Sequence, residues 1–184
     1  MMDAMPASDA TATRLRDATR SAARARGVRP VLLIDGRAGA GKSTLADEVA
    51  AVWPEAALVR LEDVYPGWDG LDAASAAVAT EILGPPSAYR SWDWAASVPG
   101  ARRAIPATGP IVVEGVGALS RASRPLAAYA VWLELDEATR RMRALARDGD
   151  TFAPHWDRWA AQEEVLRRRE RPEALADEVL RPVG

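Results

Sequence analysis

A chain of 184 residues and 19.7 kDa has room for one domain, and 48% hydrophobic with 27% charged residues is a globular balance, not a disordered one. A net charge of −2 recruits neither nucleic acid nor an anionic membrane, and no apolar run is long enough for a spanning helix. The absence of Cys removes disulfides, thiolate nucleophiles and Cys-held metals; the first residues lack a basic-then-apolar signal, so a cytoplasmic protein is expected.

In chain order, residues 8–26 are rich in Ala and Arg and predict an amphipathic helix, with Gly27 as its cap and Pro30 beyond. Residues 31–35 (VLLID) form the unbroken apolar run of a strand buried on both faces of a parallel sheet. A glycine-rich turn leads into a helix over 43–53, stopped by Pro54. Residues 57–61 predict a second strand that runs into Glu62 and Asp63. A helix over 71–83 ends at Gly84-Pro85-Pro86, and an irregular Trp-containing stretch, 89–94, follows. Residues 111–115 and 131–135 predict two further buried strands, 137–147 and 155–169 helices, and 178–180 a short closing strand. Strands alternating with helices give an α/β fold whose ligands sit at the carboxyl ends of a parallel sheet.

Gly36-Arg37-Ala38-Gly39-Ala40-Gly41-Lys42-Ser43 fits G-x-x-x-x-G-K-[ST], followed by Thr44. It lies between a predicted strand and a predicted helix, the context in which backbone N–H groups and a helix N-terminus converge on phosphate. Lys42, the one Lys beside 23 Arg, would reach the β- and γ-phosphates of ATP, and Ser43 would bind Mg²⁺. The class is therefore a three-layer P-loop NTPase fold with a central parallel sheet of about five strands. Having no Asn, the chain lacks both the Asn-Lys-x-Asp guanine reader of GTPases and the protein-kinase catalytic loop. A single His, His155, leaves no His-rich metal site and no sign of a Ser-His-Asp triad; beside Trp156 and Trp159 it reads as a packed residue. The absence of Leu-Ser-Gly-Gly-Gln excludes a transporter ATPase, and the length is small for a motor. What remains is the layout of a small-molecule kinase.

The segments VLLIDGRAGAGKSTL (31–45), LEDVY (61–65), YRSWDW (89–94), IVVEG (111–115) and TRRMRALARD (139–148) occur in the order of the uridine kinase/phosphoribulokinase group, which the chain resembles over about 29–182. It is more closely similar to short actinobacterial uridine kinase-like ATP-binding proteins that carry YPGWDGL after the second strand. Beside the amino-terminal helix (1–28) read from composition, the resemblance implies an acceptor-binding segment (about 63–109) and lid helices (about 140–170) within one domain. The family's acid that takes the acceptor proton and approaches Mg²⁺ falls on Glu62, a departure from Asp, so Asp63 is the alternative. The family Tyr falls on Tyr65, and the position that holds ribose hydroxyls on Asp93; Tyr89, Trp92 and Trp94 could stack on a planar acceptor. The Glu-Gly that ends the third strand gives Glu114 as metal carboxylate, with Asp136 or Glu137 as rivals and Asp136 well placed to cap a helix.

On the helix from Glu137, Ala138, Met142 and Leu145 share one face, and Arg140, Arg143 and Arg147 share the opposite one. The resemblance makes these lid arginines: Arg143 would bind nucleotide, and Arg147, paired with Asp148, would neutralise charge on the transferred group. One of the family's paired lid arginines is Ala144 here, and Arg167-Arg168-Arg169 reads as solvated surface. The implied activity is Mg²⁺- and ATP-dependent phosphoryl transfer to a small hydroxyl-bearing acceptor, with a nucleoside as the nearest candidate. Another sugar or alcohol is the alternative, as are a nucleotide-dependent ATPase acting on a macromolecular partner and a form that binds ATP without turnover. No nucleic-acid or membrane partner is expected.

Overall fold

In the computed structural model, which describes residues 7–181, the chain begins with helix α1 (Ala7–Arg26). A Schellman turn closes it: Gly27 N–H bonds to Arg24 O (3.3 Å) and Val28 N–H to Ala23 O (3.0 Å). Strand β1 (Val31–Gly36), helix α2 (Lys42–Val52) and strand β2 (Ala57–Arg60) follow. Helix α3 (Leu71–Ala77) widens into a π turn over Val78–Ile82, closed by Leu83 N–H to Val78 O. Then come β3 (Ala88–Asp93), β4 (Val98–Ala104), β5 (Ile111–Glu114), β6 (Tyr129–Leu133), helices α4 (Glu137–Phe152), α5 (Trp156–Glu170) and α6 (Pro172–Leu175), and strand β7 (Glu178–Leu180).

Five strands form one parallel sheet in the order β2-β5-β1-β6-β7. The apolar runs put alternate side chains into two cores. Leu32, Ile34, Val112, Val131 and Leu133 meet α1 and α2 through Ala12, Leu15, Leu45, Val49 and Trp53. Val31, Leu33, Val59, Val113 and Ala130 meet the opposite layer through Leu71, Ala74, Val78, Ile82, Trp159 and Leu166. Each fully buried Val, Leu or Ile contributes roughly 1.5–3 kcal/mol, so the two faces of the sheet hold the three layers together. Because β2 and β5 lie on one side of β1 and β6 and β7 on the other, the turn after β1 occupies the crevice at the strand ends.

Two expectations are corrected. The stretch 89–94 is not irregular: it is β3, paired antiparallel with β4 in a separate ribbon that shifts register between Arg90 and Trp92. The helix after β6 does not stop at Arg147. It continues to Phe152 across a kink at Gly149, whose φ of 52° and ψ of −133° suit a residue without a Cβ.

Candidate active site

The turn 36–43 is fixed from three directions. Beneath it, the buried Asp35 carboxylate accepts from the N–H groups of Gly36 (2.7 Å), Gly117 (3.1 Å) and Leu119 (2.8 Å), which joins the end of β1 to the turn after β5. Burial raises its pKa to about 7, against the pull of those amides and of Lys42. From α5, Glu163 accepts Ala38 N–H (2.7 Å) and Trp159 Nε1–H (3.1 Å) on Oε1, and Arg37 Nε–H (3.0 Å) on Oε2. From α4, Arg140 donates to Ala38 O (3.2 Å) and Leu135 O (3.0 Å). Gly39 has φ +80°, and a Cβ there would lie 2.1 Å from Arg140 O, so α4 can approach only because that residue is glycine.

Lys42 opens α2 and is buried; its Nζ donates to Arg37 O (3.1 Å). Burial lowers its pKa, opposed by the charges of Glu114, Glu163 and Asp35. Ser43 donates its hydroxyl to Glu114 Oε1 (3.1 Å), and Arg60 Nη1 stands 3.6 Å from the same oxygen. Burial pushes the Glu114 carboxyl upward, opposed by Lys42, Ser43 and Arg60. Gly115 behind it brings β5 against Leu61 and Tyr65, where a Cβ would come within 2.5 Å of Leu61 Cβ.

Two adjoining cavities open here. The smaller, about 270 Å³, lies between the turn and α4 and is lined by Gly39, Gly41, Lys42, Ser43, Thr44, Arg143, Ala144 and Arg147. The larger, about 430 Å³, shares Gly39, Lys42, Ser43 and Arg147 with it. It extends past Glu62, Glu114 and Asp148 to an aromatic wall of Tyr65, Trp68, Trp94, Phe152 and Trp159. The structure thus brings Lys42, Ser43, Glu62, Tyr65, Glu114, Arg143 and Arg147 to one place. Glu62 lines the larger cavity and Asp63 does not. Asp136, the rival to Glu114, caps α4 by accepting Thr139 N–H (2.9 Å). Arg147 makes a bidentate pair with Asp148, both bonds 2.7 Å.

Three expected acceptor residues lie elsewhere. Asp93 accepts Ala96 N–H (2.9 Å) and closes the β3–β4 turn. Tyr89 packs against the larger core, and Trp92 lies over Gly67. Of that segment, Trp94 reaches the cavity and donates to Glu62 O (2.9 Å). Nothing local in the sequence marks Trp68, Phe152 and Trp159 as one wall, because their ring contacts, stacked for Trp68 on Phe152 and edge-on for Trp68 on Trp159, form only across the kinked α4–α5 junction. His155 is packed, stacked on Trp68 at 4.3 Å. Arg140, expected with Arg143 and Arg147 opposite the apolar face, is instead buried against the glycine-rich turn, and Met142 of that apolar face is 65% exposed. Arg167 pairs with Glu164 and with Glu173 of α6, Arg168 with Glu164, and Arg169 with Glu170 and with Asp72 of α3.

Comparison of the whole molecule with solved structures decides the class. A protein of Bacillus stearothermophilus described as a possible uridine kinase matches at TM-score 0.57 and 17% identity, over 91% of this chain and 99% of its own. A protein of Silicibacter sp. TM1040 described as a fructose transport system kinase matches at 0.60 and 19%, over 92% and 98%. The chain shares the fold of these two proteins. A gluconokinase of Sinorhizobium meliloti shares it at TM-score 0.51 and 16% identity, over 84% of this chain and 83% of that one. No protein-family model matches the chain, and no curated protein is significantly similar to it. Among the described residues no helix is long and apolar enough to cross a membrane.

Proposed function

We propose that the protein transfers the γ-phosphoryl group of ATP to a hydroxyl of a small molecule. The observation that carries this reading is the pair of adjoining cavities that share Lys42, Ser43 and Arg147. The phosphates of ATP occupy the smaller one, against the first turn of α2, with Thr44 and Arg143 at its edge. The acceptor occupies the larger, its hydroxyl beside Glu62. The shared residues stand where the phosphoryl group passes from one to the other.

The acceptor oxygen attacks phosphorus in line, the bond from γ-phosphorus to the β–γ bridging oxygen breaks, ADP leaves, and the hydroxyl proton passes to Glu62. Lys42 and Arg147 offset the negative charge that spreads over the transferred oxygens. Arg147 must exchange Asp148 for phosphate, which its place on both cavities permits. Ser43 and Glu114 suit the Mg²⁺ that accompanies ATP: a hydroxyl and a carboxylate 3.1 Å apart complement an ion that keeps most of its ligands as phosphate oxygens and water. Bound there, Mg²⁺ supplies charge neutralisation to the phosphates. A nucleoside remains within this reading, but with Asp93 engaged in the hairpin turn, a sugar or another alcohol stands beside it.

The test is incubation with Mg·ATP and nucleosides, sugars and aromatic alcohols, measuring ADP and phosphorylated product. Lys42→Ala is expected to lower turnover at least about a hundredfold, a loss of about 2.7 kcal/mol or more of transition-state stabilisation, with the circular dichroism spectrum unchanged. Turnover that survives this substitution would remove the reading.

A further inference from the structure

The aromatic wall carries information about the acceptor because three of its four polar side chains already spend their donors on the protein. Tyr65 donates its hydroxyl to Val116 O (3.0 Å), Trp94 its indole N–H to Glu62 O (2.9 Å), and Trp159 its indole N–H to Glu163 (3.1 Å). With these donors engaged, the three rings offer the cavity carbon surface and no free N–H or O–H. Thr151 also lines the cavity with Glu62, Arg147 and Asp148, and Phe152 extends the apolar surface. Such a wall binds a flat, apolar or aromatic body through dispersion and ring contact. It suits a polyol poorly: each secondary hydroxyl buried against carbon without a partner costs about 1–3 kcal/mol.

Resting on the kinase reading above, we infer that the acceptor is an alcohol carried on a flat aromatic ring, selected by the ring and not by a diol. Glu62 meets the one reacting hydroxyl; the aromatic wall meets the ring. A nucleoside would then be accepted through its base, with its secondary ribose hydroxyls unread.

The experiment compares four acceptors under Mg·ATP: a hydroxymethylquinoline, uridine, a dideoxyuridine that lacks both secondary ribose hydroxyls, and gluconate. The two uridines are expected to agree in kcat/KM within about fivefold, and gluconate to fall about a hundredfold or more below the best aromatic alcohol. A hundredfold loss on removing the ribose diol would overturn the inference, as would gluconate turned over as well as the aromatic alcohols. Calorimetry without turnover separates the two claims. If Mg·ATP binds but neither the hydroxymethylquinoline nor either uridine does, the acceptor inference falls and the nucleotide site stands; if Mg·ATP does not bind, the kinase reading falls whatever the alcohols do. Trp94→Ala should weaken aromatic acceptors about tenfold with ATP affinity unchanged, and Trp94→Phe, which keeps a ring, should restore most of it. Equal weakening by both variants would assign Trp94 to holding the Glu62 backbone and contradict ring selection.

Discussion

Glu163 receives the glycine-rich turn, helix α4 and the aromatic wall on two oxygens. Ala38 and Trp159 bond to Oε1, Arg37 bonds to Oε2, and Arg140 Nη1 stands 4.0 Å from Oε2. At 2% exposure it is shielded from water, so its charge counts for more than a surface carboxylate would. Glu163→Gln replaces one acceptor oxygen by an amide N–H, which must face either Ala38 and Trp159 or Arg37, donor against donor. The expected cost is about 1–3 kcal/mol of stability and about a tenfold rise in KM for ATP with a smaller change in kcat, read by denaturant titration and steady-state kinetics. A purely structural role would lower stability and leave that KM unmoved. Lys42 and Ser43 are legible in the sequence because their motif is contiguous. Glu163 lies 126 positions beyond Arg37, inside a charged helix where nothing local sets it apart.

Helix α4 shows where the amphipathic rule gives the wrong face. The rule turns Ala138, Met142 and Leu145 inward, because the usual partner of a helix is an apolar core. Here the partner is a loop that offers carbonyls and a buried carboxylate, so Arg140 goes inward beside Ala144 while Ala138 and Met142 face solvent. Met142→Glu is accordingly expected to change stability by less than about 0.5 kcal/mol, and Ala144→Glu to cost more than about 2 kcal/mol, both measured by chemical denaturation. The reverse order would restore the apolar face as the packed one. The β3–β4 ribbon was hidden for a different reason. β4 reads Val98-Pro99-Gly100-Ala101-Arg102-Arg103-Ala104, with no period-two alternation, and it forms through backbone pairing with β3. The inner strands β1, β5 and β6 were readable because burial on both faces demands continuous apolar runs, while the edge strands β2 and β7 are only partly buried and carry a weaker signal.

Across the whole molecule, Asp35 links the sheet to the site and makes stability depend on pH. Its folded pKa of about 7 lies above the ordinary carboxylate value, so between about pH 4 and pH 7 the folded chain holds this proton more tightly than the unfolded chain. The contribution is fully present below the unfolded pKa and is lost as pH rises through about 7; the span is up to about 4 kcal/mol. Urea midpoints of the wild type should fall between about pH 5 and pH 8 by clearly more than those of Asp35→Asn, which has no proton to lose. Parallel slopes for the two proteins would show that Asp35 is ionised throughout.

At the far edge of the sheet, Arg14 on α1 grips Glu178 on β7 through two bonds of 2.6 and 2.8 Å. The first described helix is therefore clasped to the last strand. A circular permutant that connects β7 to α1 through a flexible linker and opens at the exposed β3–β4 turn, near Ala96, should keep both cores intact. Such a cut would free Trp94 from the hairpin constraint while sparing the phosphate loop, making acceptor recognition adjustable independently of nucleotide binding.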